Sequence, residues 1–419
     1  MQPNSPCKPY FVVFAAALFY LFEFINMNSF NALNDQLRDA FQVNALQISN
    51  LSAMYFYANV IFMIPAGLLL DRVSTKKLLV SALSLCILSA LVFANTHSFM
   101  VACVCRFITG MGSTLVLLSC AVLTSRWIKP IKAGLVLGGA VTLAMFGGML
   151  AQQITCLVDW TGSWRTAVAC IAGLGAVFLV MILWLVEDYP VGYQETFKND
   201  LDLIHQGFWR NFALALKNKQ IWFAGLYASL INLTIMIIGA LWGKDYLMTT
   251  HDFNATNAAT AISAVFLGFM VGSPLFGMIS DRLRQRKLPM IIGGVLNLFW
   301  VLLILHFPFS SMMAGLIFFM LGLLCASQVL VFPLIIESVP MHITASSEAI
   351  SAAVIMGGGA VSQPLFGWLL DHSAQIPGQY SASDFNHAMW MLPIAFFIAI
   401  ICSLCLKETH CKTFNKDHS

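Results

Sequence analysis

Apolar residues in this chain come in long runs separated by short polar interruptions. The runs are about twenty residues each, the length a helix needs to cross a hydrocarbon core of about 30 Å. Marking them predicts twelve membrane helices. The first six are Tyr10 to Asn31, Leu51 to Leu70, Leu78 to Ala94, Phe99 to Thr124, Ala133 to Cys156 and Thr166 to Val186. After a polar link, Glu187 to Gln220, come Ile221 to Trp242, Ala255 to Ile279, Leu288 to Phe307, Met312 to Ile335, Ala345 to Leu370 and Ala388 to Leu406. The pattern divides the chain into an N-terminal six-helix bundle (1–190), a linker (191–219) and a C-terminal six-helix bundle with a short tail (220–419). In the link, Leu201, Ile204, Phe208, Phe212 and Leu216 recur at helical spacing with polar residues between them, which predicts an amphipathic helix on the membrane surface tethering the halves.

One polar interruption occurs twice. Gly67, Asp71, Arg72, Lys76 and Lys77 separate helices 2 and 3; Gly277, Asp281, Arg282, Arg284, Arg286 and Lys287 separate helices 8 and 9. Asp71 and Asp281 stand 210 positions apart in a chain of 419, so the sequence reads as a duplication.

Composition agrees with the pattern. Apolar residues make up 59% and charged residues 10%, with a mean hydropathy of +0.80, whereas soluble domains carry about 25% charged residues. This predicts an all-α membrane protein. The net charge of +3 is explained by placement rather than by an acidic partner. With the N-terminus in the cytoplasm, Lys8, the basic clusters after helices 2, 4 and 8, the linker and the tail collect 18 of the 22 Lys and Arg on one side. Arg38, Arg165 and Lys244 fall on the other side and Arg106 inside helix 4. The positive-inside rule then puts both termini in the cytoplasm, and nothing points to nucleic acid. The 11 cysteines show no metal or disulfide spacing. Lys8 leads into an apolar run with no cleavage pattern, so a retained first helix is expected. Compact loops suggest a multi-pass monomer of a bacterial inner membrane.

The doubled Gly-x-x-x-Asp-Arg loop, Arg106 with Gly110 and Gly112 in helix 4, Trp164 and Arg165 entering helix 6, and Gln363, Pro364, Gly367 and Asp371 closing helix 11 resemble the major facilitator superfamily of secondary transporters over the whole chain. The resemblance implies a cavity between two bundles, lined by helices 1, 4, 7 and 10 and exposed alternately to either side. It also implies a conformational latch at Gly67, Asp71, Arg72, Gly277, Asp281 and Arg282. The chain departs from the family in carrying Ser74 and Arg284 where the loop has glycine, and helix 5 lacks the Gly-Pro pair of many drug antiporters.

Ionisable groups at membrane depth carry the sharper signal, since each is costly there unless paired or facing water. Glu23 lies eight residues before the predicted outer end of helix 1 and Arg106 seven after the start of helix 4, so both sit about 10 to 12 Å below one surface. Two readings stay open: a structural ion bridge, or a site in which Arg106 holds a substrate anion while Glu23 holds an amine or the coupling proton. Asn26 follows Glu23 on the same face. Asn26 and Asn31 in helix 1, Tyr55 and Asn59 in helix 2, Tyr227 and Asn232 in helix 7 and Ser327 and Gln328 in helix 10 are neutral polar residues of the lining helices, and Asn26, Tyr227, Asn232 and Gln328 are the candidates among them for substrate contact. Glu337, Glu348 and Asp371, near helix ends, are expected as caps, with a latch against the basic loops as the alternative. Gly110 and Gly112 lack the third glycine of a dinucleotide loop, no Walker loop exists, and the nine histidines have no ligand spacing, so no cofactor is expected. The expectation is a transporter rather than an enzyme, importing an amino acid, short peptide or organic anion with protons. The alternatives are an exporter of a siderophore or drug-like compound, or a sensor on the same fold.

Overall fold

The computed structural model describes residues 7–190, 208–376 and 378–412, which are helical almost throughout. Among the described residues twelve helices are long and apolar enough to cross a membrane: helix 1 (Lys8–Phe41), helix 2 (Ala45–Leu70), helix 3 (Thr75–Asn95), helix 4 (Phe99–Trp127), helix 5 (Lys132–Thr161), helix 6 (Trp164–Leu185), helix 7 (Lys219–His251), helix 8 (Ala255–Leu283), helix 9 (Lys287–His306), helix 10 (Ser311–Ser338), helix 11 (Ile343–Ser373) and helix 12 (Ala382–Cys405). By contact, the chain groups into unit 1 (Met1–Ser29 and Met54–Gln206) and unit 2 (Phe30–Ala53 and Gly207–Ser419). Unit 2 therefore includes the hairpin that joins helices 1 and 2.

That hairpin is where the structure departs most from the hydropathy pattern. Helix 1 continues past Asn31 to Phe41, through a stretch whose Asn34, Asp35, Arg38 and Asp39 read as a loop. Protein partners replace water there. The Asn34 side-chain amide donates to the Leu241 carbonyl at 2.9 Å, and Asp35 accepts from the Lys244 ammonium at 3.1 Å. Helix 2 begins at Ala45, ahead of the expected Leu51, because its first turn is capped from a distance. The backbone N–H groups of Ala45 and Leu46 donate to the Asp371 carboxylate at 3.2 and 2.9 Å, and the Tyr380 hydroxyl accepts a further bond from Ala45 at 2.8 Å. An acid at a helix N-terminus satisfies orphan donors and meets the positive end of the dipole. Asp371 is thus a cap, as expected, but for helix 2.

In unit 1, helices 2 and 4 touch at Gly110, where a Cβ would fall 2.2 Å from the Tyr55 carbonyl oxygen. In unit 2, helices 8 and 10 meet through Gly268 and Gly322, whose Cβ atoms would fall 2.0 and 1.9 Å from backbone oxygens of Phe319 and Val265. Small residues that bring two membrane helices into backbone contact account for both crossings.

Helices 7 and 10 of unit 2 change helical type along their length. Helix 7 is α-helical over Lys219–Ile231, π-helical over Thr234–Trp242 and α-helical again over Gly243–His251. Helix 10 contains a 3-10 segment, Ala326–Leu330. The linker contributes a described helix, Phe208–Lys217, whose Phe212 and Ala215 pack on Ile221, Val339, Ile343 and Ile350. The positions of the expected amphipathic stretch before Phe208 lie outside the described residues.

Candidate functional site

In unit 1, helices 1, 2 and 4 bring Glu23, Asn26, Tyr55 and Arg106 together. Arg106 is 3% exposed. Its Nη1 donates to the Asn26 side-chain oxygen at 2.8 Å and to the Asn26 carbonyl at 3.2 Å, and the guanidinium lies 5.3 Å from the centre of the Tyr55 ring. The cation therefore rests on neutral acceptors and an aromatic face. Glu23, one turn earlier on helix 1, is 1% exposed, and neither of its oxygens makes a hydrogen bond of ordinary geometry. The Cys86 thiol, the Arg106 guanidinium and the Tyr55 hydroxyl are close enough to act on it. Asn59 secures the frame, donating to Ser113 Oγ at 2.6 Å and the Gly110 carbonyl at 3.1 Å. These bonds hold helix 2 against helix 4, and so Tyr55 beside Arg106. Helix 1, which carries Glu23 and Asn26, runs on past Asn31 to Phe41.

In unit 2, Asn232 and Gln328 meet directly, the Gln328 amide donating to Asn232 Oδ1 at 3.0 Å. This pair joins the last turn before the π segment of helix 7 to the 3-10 segment of helix 10, and irregular helical turns of this kind occur often at functional sites. Tyr227 points elsewhere. It is fully buried, and its hydroxyl donates to the Met290 carbonyl at 2.7 Å and lies 2.9 Å from Ser327 Oγ, fastening helix 7 to helices 9 and 10.

The repeated loops hold their helices with an acid that the sequence reading did not single out. Asp188, just past helix 6, accepts from Lys76 N at 2.9 Å and from Ser74 Oγ, while Ser74 itself caps helix 3 by accepting from Lys77 N at 3.2 Å. Glu408, just past helix 12, accepts from the backbone N–H groups of Arg286 and Lys287 at 2.8 Å each. Burial raises the Glu408 pKa, but backbone donors from Arg286, Lys287, His410 and Thr409 outweigh it and leave the carboxyl below its ordinary value. Arg286 also donates to Asp281 at 2.6 Å and to Glu337 at 2.8 Å, so Glu337 pairs with the basic loop, and Asp281 is held by Arg286 while Arg282 stays exposed. The side chains of Asp71 and Arg72 lie outside the described ones. A Cβ at Gly67 or Gly277 would meet no atom within 4 Å, so packing requires glycine at neither. The departures from the family loop have separate solutions: Ser74 keeps a negative φ (−51°), whereas Arg284 takes the left-handed conformation (φ 52°) that ends helix 8.

Sequence reading missed Lys244, which it placed in a loop. The residue lies inside helix 7 with its side chain 2% exposed, beside Asp35 and Asp245. The missed signal was a Lys-Asp pair closing a long apolar run. Among the described residues no group of His, Cys, Asp or Glu could hold a metal ion.

Comparison with known proteins bears on what these arrangements serve. The family model described as Major Facilitator Superfamily matches residues 12–350. A probable sulfoacetate transporter, SauU of Cupriavidus necator, is 18% identical over 288 residues, covering 67% of both chains. Matches with two further curated relatives span 42% and 59% of those proteins. Among solved structures, a bacterial homologue of the human lysosomal transporter Spinster superposes with a TM-score of 0.77 at 14% identity, covering 96% of this chain and 98% of the other. A D-xylose-proton symporter gives 0.76 at 15% identity, covering 97% and 99%.

Proposed function

The chain belongs to the Major Facilitator Superfamily and is a secondary transporter embedded in the membrane, and on that premise we propose that it imports a small organic anion, amino acid or short peptide together with protons. The observation that carries this reading is the buried Arg106, held by an amide and an aromatic ring, next to a Glu23 whose oxygens make no regular hydrogen bond. An incoming carboxylate or sulfonate finds a planar donor fork in the guanidinium. Its charge then stands close to Glu23, and two anions in a dry site favour protonation of one of them. Glu23 is thereby the proton carrier, and proton and substrate arrive together. Asn26 and Tyr55 orient the arginine. In unit 2, Asn232 and Gln328 are the amides offered to the neutral part of a substrate, and Tyr227 sets the 3-10 turn that presents Gln328. Asp281, with its counterpart Asp71, serves the latch.

Two likenesses support the reading without extending it: one relative is named for a small organic anion, and one structural neighbour for proton symport. The concentration of Lys and Arg on one side supports cytoplasmic termini, and we place the monomer in a bacterial inner membrane.

The test is reconstitution into liposomes and uptake of a labelled panel of organic anions, amino acids, short peptides, sugars and cations, with and without an inward proton gradient. The reading expects accumulation of an anionic or zwitterionic solute only with the gradient. Accumulation confined to cations or neutral sugars, or uptake indifferent to the gradient, would overturn it.

A further inference from the structure

Unit 2 buries a second charge cluster that the transport reading leaves unused. Lys244 and Asp245 lie in the first turn after the π segment of helix 7, with side chains 2% and 5% exposed. The Lys244 ammonium donates to Asp35 Oδ2 at 3.1 Å and to the Ala32 carbonyl at 3.1 Å, and its backbone N–H donates to Asn31 Oδ1 at 3.0 Å. All three partners lie at the helix 1 end of the hairpin. One lysine thus ties that hairpin to helix 7. Asp245 stands 3.8 Å from the same ammonium, neither of its oxygens makes a hydrogen bond of ordinary geometry, and the Asp35 carboxyl lies close enough to act on it.

A carboxylate buried without regular hydrogen bonds is expensive, and a proton removes its charge. The charges that act on Asp245 are those of Asp35, Lys244 and Arg38. Of the elements packed on this part of helix 7, helix 8 carries its ionisable residues, Asp281 and Arg282, at the far end. Helix 12 contributes Asp384, which is engaged by the N–H and hydroxyl of Ser381, and His387. Asp35 is 44% exposed and gives a proton a wet way out.

We propose that Asp245 is a proton-binding carboxyl that competes with Asp35 for Lys244, so that its occupancy decides whether the hairpin of helices 1 and 2 stays docked. With the proton on, Asp35 is the charged acid paired with Lys244, and the hairpin is held. When the O–H bond of Asp245 breaks and the proton passes to water, the carboxylate becomes a second acceptor on the lysine's own helix. Lys244 turns to it as Asp35 leaves, and no buried ammonium is stranded without a counter-ion. The site works whatever solute the protein carries and does not depend on Arg106.

Infrared difference spectroscopy of the full chain in nanodiscs, between about pH 5 and about pH 9, reads carboxyl protonation directly. Hydrogen exchange of residues 30–53, corrected for intrinsic rates, reads docking. The expectation is a protonated-carboxyl band that titrates in the wild type, is lost in Asp245→Asn and survives in Asp35→Asn. Hairpin exchange rises at least about tenfold in Asp35→Asn and Lys244→Met, and in Asp245→Asn stays at the low, acid-state level at both pH values. A band that persists in Asp245→Asn, or hairpin exchange in that variant with the wild-type pH dependence, overturns the proposal. Should Asp245→Asn not fold, Asp245→Glu must shift the band and Asp35→Glu must not; an unshifted band is equally fatal.

Discussion

Each unit buries a basic side chain against helix 1, and the two are held in opposite ways. Arg106 in unit 1 donates to a neutral amide and lies over a tyrosine, with Glu23 nearby yet outside regular hydrogen-bond geometry. Lys244 in unit 2 is locked to an acid at 3.1 Å and to two further groups of the same helix. A cation hydrogen-bonded to an amide can still meet an incoming anion, whereas a cation paired closely with an acid is suited to joining parts of the protein. On the proposed reading, the contrast gives Arg106 to the substrate and Lys244 to docking.

Removing the two cations should break the comparison most visibly. Arg106→Ala is expected to lower uptake by about 100-fold, the equivalent of losing about 3 kcal/mol of charge-assisted hydrogen bonding, while thermal unfolding of the purified protein shows it still folded. Lys244→Met should instead loosen residues 30–53. Equal loss of uptake from both, with equal hairpin loosening, would erase the distinction.

Asp371→Ala sharpens the docking side. It strips the cap from helix 2, and a loss of about 1 to 2 kcal/mol is expected, concentrated in faster hydrogen exchange at residues 45–48. An effect confined to the end of helix 11 would contradict the assigned role.

The duplicated loops allow a finer comparison, between Asp188 at helix 3 and Glu408 at helix 9. Because the folded pKa of Glu408 is depressed, its contribution is present above the unfolded value of about 4.3 and is lost as pH falls through the lower folded value. Glu408→Gln should therefore cost about 1 kcal/mol at about pH 7 and almost nothing at about pH 2, read from thermal unfolding in detergent. A deficit that is the same at both pH values would remove the carboxylate from the cap. The smallest effect is expected at Arg284, whose left-handed backbone glycine adopts freely: Arg284→Gly should stabilise by about 0.5 to 1 kcal/mol, whereas Ser74→Gly removes a side-chain cap and should not stabilise. Stabilisation of both alike would show that the loops are equivalent after all.

The twelve-helix pattern was legible because burial in hydrocarbon forces long apolar runs, and Glu23 with Arg106 stood out because charge is rare in them. The hairpin was not legible. Asn34, Asp35 and Lys244 look like loop residues until the partners that satisfy them are known, and those partners lie over 200 positions away in sequence. Tyr227 shows the converse: its hydroxyl suggests a ligand contact in the sequence, and in the fold it bonds Met290 and Ser327. Hydropathy reports what faces lipid and says little about which polar groups satisfy one another.

The central claim is that Arg106 binds the anion and Glu23 carries the proton. It is tested most directly in liposomes, with the solute found by the uptake panel, by comparing exchange at equal pH with gradient-driven accumulation in Glu23→Gln and Arg106→Ala. The account predicts that Glu23→Gln retains exchange and loses accumulation, while Arg106→Ala loses both. Accumulation at the wild-type level in Glu23→Gln, or exchange at the wild-type rate in Arg106→Ala, would contradict it.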